Sequence, residues 1–187
     1  MTSTLRTLAV AAASAALLIT LAACSSPSPD PTTSASPEAS TAASLAVEHA
    51  CDGDEGVTVV VDASALGDAD DVSNTWCVSA DDTIVAAEAF AATDITTEGT
   101  DQYGDQVVCR VNGLPAEDEA LTADDGSEYF EKCETMPAAF AYWSLWVKPA
   151  GGEWNYAEEG LATQPLEPGD AVELLFTLNG EPAAPAS

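Results

Sequence analysis

Four cysteines, at positions 51, 77, 109 and 133, constrain this chain more than any other feature. A fifth, Cys24, stands apart, directly behind an apolar N-terminal run. An even set in an exported domain predicts two disulfides, with three possible connectivities. Neighbour pairing, Cys51–Cys77 and Cys109–Cys133, is the favoured one. Each pair encloses about 25 residues, and closing such a loop stabilises by about 3 kcal/mol on the chain-entropy view. A zinc site would need Cys-x₂₋₄-Cys spacing, which is absent. The expectation is no metal and no cofactor.

The first residues explain why an oxidising compartment is expected. Met1–Ala23 carries one cation, Arg6, and then a run of Leu, Ala, Val and Ile. The run is too short for a comfortable membrane span and has the length of an export signal. It ends in Leu21-Ala22-Ala23-Cys24, which resembles the bacterial lipobox. Lipidation of Cys24 is therefore expected, with residues 1–23 removed as a lipoprotein signal peptide. Two or three acyl chains make a stable anchor at about 0.8 kcal/mol per buried CH₂. The expected location is the extracytoplasmic face of a cell membrane, with the lipid bilayer as first partner. Residues 24–45 are rich in Ser, Pro, Thr and Ala and have no apolar periodicity. They predict a disordered linker. Residues 179–187 repeat this composition and predict a disordered tail, which leaves one domain over 46–178.

Charge narrows the partners. The chain has 32 acidic and four basic residues, a formal net charge of −28. A nucleic-acid binder must neutralise phosphates with Lys and Arg, so nucleic acid is excluded as a partner. The field favours a neutral or cationic ligand and disfavours phosphorylated ones. The acidic loops Asp52-Gly53-Asp54-Glu55, Asp68-Ala69-Asp70-Asp71 and Asp124-Asp125-Gly126 do not fit a calcium-binding EF-hand. They read as solvated surface. No enzyme is expected: the one histidine, His49, lies outside any nucleophile motif, and abundant carboxylates do not single out an acid–base pair.

Local patterning gives an order of elements. Gly56–Asp62 alternates as a strand. Ser79-Ala80-Asp81-Asp82 has the form of a capping box, and the apolar residues from Ile84 to Ala91 predict a helix ending near Ala92. Gln106–Asn112 predicts a strand closed by an Asn-Gly turn, and Ser127–Lys132 a short helix. Phe140–Val147, aromatic and bounded by prolines, predicts a strand. Glu153–Ala157 and Ala171–Leu178 predict two more. The sum is an α+β fold, one main helix packed on a mixed sheet.

Val57–Asp62, Val108-Cys109-Arg110-Val111-Asn112-Gly113, Ala141-Tyr142-Trp143-Ser144, Trp154 and the Pro168-Gly169-Asp170 turn together resemble an exported actinobacterial group. That group is similar to the transcobalamin-like C-terminal domain family. The resemblance implies a β-grasp-like fold and a ligand-covering or binding role.

The aromatic strand supplies the candidate site. Its alternation places Trp143, Leu145 and Val147 on an apolar face and Tyr142, Ser144 and Trp146 on the other. Tyr142 and Trp146 are expected to floor a binding site, with Trp154 and Tyr156 of the next strand beside them. The expected function is a membrane-anchored binding module presenting a small ligand to a transporter subunit or other partner. The alternative is a structural or interaction lipoprotein of the envelope with no small ligand.

Overall fold

A computed structural model describes residues 46–67, 69 and 71–186. The expected signal peptide, the expected lipidation of Cys24 and the expected linker lie outside them. Twelve strands follow in chain order: β1 (Ala46–Val47), β2 (Gly56–Asp62), β3 (Asn74–Ser79), β4 (Ile84–Val85), β5 (Thr97–Thr100), β6 (Gly104–Val111), β7 (Leu121–Thr122), β8 (Glu128–Tyr129), β9 (Ala141–Lys148), β10 (Asn155–Tyr156), β11 (Pro165–Leu166) and β12 (Ala171–Leu178). One α-helix, α1 (Ala86–Ala92), follows β4, and a short 3₁₀ turn covers Ser64–Leu66.

Six strands form the main sheet, in the order β1-β3-β2-β12-β9-β10. The β2–β12 pair is parallel and its other pairs are antiparallel. Alternation along these strands builds the core face. Val57, Val59 and Val61 of β2, Val78 of β3, Val172, Leu174 and Phe176 of β12, and Ala141 and Trp143 of β9 are all buried there. The cover comes from Ala86, Ala89 and Phe90 of α1, Leu166 of β11, Val108 and Val111 of β6, and the loop residue Leu161.

The expected α+β, β-grasp-like arrangement is overturned. Strand accounts for 40% of the structure and helix for 7%, and the strands fall into several sheets. The reason lies in residues 79–86. Ser79 ends β3, so its capping-box pattern opens no helix. Ile84 and Val85, expected in the helix, pair with Leu166 and Pro165 of β11. Both are β-branched, and strand geometry suits them better than helix. What remains is the seven-residue AAEAFAA segment. It stops where the Thr93 hydroxyl donates to Phe90 C=O at 2.7 Å and Asp94 turns to φ 60°. Ser127–Lys132 likewise holds strand β8 rather than a helix; Asp125 accepts from the Ser127 N–H and hydroxyl and shapes the β7–β8 turn.

The disulfides join Cys51 to Cys77 and Cys109 to Cys133. The first ties the segment before β2 to β3. The second ties β6 to the irregular segment that comes after β8. Beside it Arg110 is buried. Its guanidinium donates to Pro115 C=O at 3.0 Å, Glu131 C=O at 2.6 Å and the Glu98 carboxylate at 3.0 Å.

Candidate functional site

Register decides which aromatic side chains meet. On the face of the main sheet away from the core, β9 sets Tyr142, Ser144 and Trp146 beside Thr177, Leu175 and Glu173 of β12. β10 brings Tyr156 opposite Trp146. The two rings stack with centroids 3.9 Å apart and planes at 28°. Trp154 lies just before β10, and the Lys148 ammonium sits 5.8 Å from its ring centroid. The four site residues therefore do gather along β9 and β10, but at very different depths.

Trp146 is only 7% exposed, the same as the core residue Trp143, whereas Tyr156 is 56% exposed. Tyr156 roofs Trp146. The buried indole N–H donates to Ser144 Oγ at 2.9 Å, and the Ser144 hydroxyl donates to Leu175 C=O at 3.0 Å. This chain of bonds satisfies the polar atoms that burial would otherwise strand. The floor residue is thus under cover, and the accessible aromatic surface belongs to Tyr156, with partial exposure of Tyr142 and Trp154.

A groove runs along the outer edge of β9, where the two-residue β10 leaves it. Ala157 N–H donates to Leu145 C=O. That bond shows that odd-numbered residues of β9 direct their main-chain groups to this edge. Trp143, two residues back, therefore points its N–H and C=O into the groove beyond the end of β10. Val107, Val108, Met136, Tyr142, Trp143, Tyr156 and Glu159 line this stretch, which measures about 420 Å³. It continues toward Val147, Asn155, Glu158, Glu159 and Gln164 in a second hollow of about 580 Å³. Toward Pro137 and Ala138 it continues in a more apolar one of about 380 Å³. Burial and the neighbouring Tyr142 hydroxyl raise the Tyr156 phenol above its ordinary value, so it is a neutral hydrogen-bonding group at physiological pH. Val107, Met136 and Glu159 did not emerge from the sequence. They reach the groove from separate segments, and no local pattern links them.

Two clusters of metal-ligating residue types occur among the described residues, Cys51/Glu55/Cys77 and Glu98/Cys109/Cys133. In each the sulfurs are already joined as a disulfide, and a disulfide offers no thiolate to a metal.

Glu173 is the unusual carboxyl of the aromatic face. It is 3% exposed. Burial, then the Asp62 carboxylate on the adjacent strand, raises it to about 7. The sign of the effect comes from linkage. Above the ordinary carboxylate range the unfolded chain releases this proton, while the native state holds it until about pH 7. Glu173 therefore costs stability progressively as pH rises from about 5 to 7, by roughly 2–3 kcal/mol in all once partial solvent access is allowed for. Glu173→Gln should remove this cost. Urea unfolding at pH 5 and pH 8 should show the variant gaining on the wild type only at pH 8. An equal difference at both values would mean that Glu173 is ionised in the native state throughout.

No family model, no curated protein and no solved structure matches this chain.

Proposed function

We propose that the chain is an extracytoplasmic binding module, anchored through a lipid on Cys24, whose β9-edge groove takes a small neutral or cationic ligand with an apolar body. The single observation behind this reading is the composition of the groove. Apolar walls from Val107, Met136 and Trp143 meet the phenols of Tyr142 and Tyr156 and the carboxylates Glu158 and Glu159 at the rim. A few directed polar groups in an apolar cleft are the usual make-up of a small-ligand site, and aromatic faces beside carboxylates suit a cation. Presentation of the ligand to a transporter subunit fits a domain held on a tether at the membrane. The groove supports this reading without the resemblance to the transcobalamin-like group.

Native mass spectrometry of the mature protein from its own host should show a retained small mass. Titration with benzyltrimethylammonium, followed by tyrosine and tryptophan fluorescence, should saturate. Phenylacetate, of similar size and opposite charge, should bind at least tenfold more weakly. Tyr142→Ala or Glu159→Gln should weaken the cation about tenfold, the scale of one lost contact of about 1.4 kcal/mol. A mature protein with no retained mass and no saturable response to either probe would reject the reading. That outcome would leave the second reading, an interaction lipoprotein without a small ligand. One observation favours it: Trp146, on the same aromatic face as Tyr142 and Tyr156, is buried beneath Tyr156 rather than presented to a ligand.

A further inference from the structure

Pairing along the outer edge of β9 stops one step short. It runs through Val147 with Asn155 and Trp146 with Tyr156, and ends where Ala157 N–H donates to Leu145 C=O at 2.9 Å. The same register, continued, would set Glu159 opposite Trp143. The chain goes elsewhere. Glu159 N–H donates to the Gln164 side-chain oxygen at 3.3 Å. Gly160 backs onto Gln106 of β6 so closely that a Cβ there would collide with its main chain. On the other side of Trp143, the Ala141 N–H is taken by Ala138 C=O at 3.0 Å. Trp143 keeps an N–H and a C=O that point outward in the plane of the sheet, with no protein partner among the described residues.

An unpaired donor and acceptor on one edge residue define their complement. In an antiparallel ladder such a residue exchanges both bonds with a single residue of the next strand. The complement is one amino-acid residue between two amides, which is a peptide in extended form. Addition of an extended peptide to a sheet edge is a general recognition mode: main-chain bonds give affinity and alternate side chains give specificity. The side chain opposite Trp143 would share its face, the core side of the sheet. There Val108 and Leu161 wall the hollow, so an apolar side chain fits. The neighbouring side chains would lie on the other face, with Tyr142 and Tyr156. Glu158 and Glu159 line the continuing hollow, and with a formal net charge of −28 the field favours Lys or Arg in the ligand over Asp or Glu.

We infer that the ligand of the β9-edge groove is a short extended peptide, with an apolar residue paired to Trp143 through both its main-chain groups and a basic residue beside Glu158 and Glu159. The inference rests on the groove reading above and adds the ligand's backbone to it. The open stretch from Ala141 to Leu145 is about 13 Å long at about 3.3 Å per residue. It suits three or four peptide residues, not a long strand.

The test uses the full mature chain and the capped peptide acetyl-Ala-Leu-Lys-amide as probe, read by tryptophan fluorescence. Three analogues each carry an N-methyl group at one residue. Methylating the residue that faces Trp143 removes its donor, whereas the N–H of the next residue points away from β9. One analogue should therefore bind at least tenfold more weakly, and one methylated at an adjacent residue should stay within about threefold of the parent. Replacing the probe's Lys by Glu should weaken it at least tenfold. In ¹⁵N spectra the Trp143 main-chain amide should move downfield, and its hydrogen exchange should slow at least tenfold at saturation. Equal binding of the parent and all three methylated analogues, or an unmoved Trp143 amide at saturation, overturns the inference. If benzyltrimethylammonium saturates the groove but the capped peptide does not bind, the groove reading stands and the peptide assignment falls. No response to either probe overturns both.

Discussion

Trp146→Ala is expected to destabilise the domain by about 3–5 kcal/mol, as much as Trp143→Ala. The two indoles sit on opposite faces of β9, yet each is 7% exposed. Trp143 donates to Leu114 C=O at 3.0 Å and meets Phe176 edge-on at 5.2 Å. Trp146 donates to Ser144 Oγ at 2.9 Å and stacks under Tyr156. Truncating either opens a cavity walled by strand residues, and strands fixed on both sides collapse little into it. Truncating Trp146 also deprives Ser144 of its donor. Urea unfolding of both variants, with the wild type as reference, measures the effect. A cost below about 1 kcal/mol for Trp146→Ala, the scale of a surface change, would show that its face is open in solution.

Arg110→Met is the second large effect, about 3 kcal/mol, because two buried carbonyls lose their donor at once. Pro115 C=O and Glu131 C=O both accept from this guanidinium. The ion pair with Glu98 contributes much less: the Glu98 side chain is 54% exposed, and exposed partners are worth little. Glu98→Gln is therefore expected to cost less than about 1 kcal/mol. Arg110→Lys should fail to rescue most of the loss, since one ammonium lacks the planar fork that reaches both carbonyls. Chemical denaturation of the three variants separates these contributions. Equal losses for Arg110→Met and Glu98→Gln would put the ion pair, not the carbonyls, in charge.

The strands most legible in the sequence are those whose pattern the sheet enforces. Gly56–Asp62 and Ala171–Leu178 have the expected ends. The aromatic strand is shifted by a single residue, to Ala141–Lys148. Asn74–Ser79 gave no signal, because NTWCVS begins polar and lacks clear alternation. It is a strand because β2 and β1 pair with it on either side. The helix was overextended for a complementary reason. Apolar spacing at Ile84 and Val85 fits a helix locally, but the strand partner that claims them, Pro165-Leu166, lies some eighty residues later. Alternation put Arg110 on one face of its strand with Val108 and Asn112 and did not mark it as buried. A lone cation in a strand of a chain with 32 acids was the available hint, but the carbonyls that bury it arrive from a loop and from the segment after β8.

By itself the sequence favoured the neighbour pairing of the cysteines, which the structure shows, and determined the alternation that places Trp143 in the core and the acidic surface. Each of these depends on spacing between near neighbours or on composition alone. Tertiary structure decided the rest. It made Trp146 a covered residue, because burial of a strand's second face depends on what lies across it, and here Tyr156 does. It raised the Glu173 carboxyl, because burial within the sheet and then the Asp62 carboxylate of the adjacent strand disfavour its charge. It also assembled the groove from Val107, Met136, Tyr142 and Glu159, whose proximity is a property of long-range packing that no local period encodes.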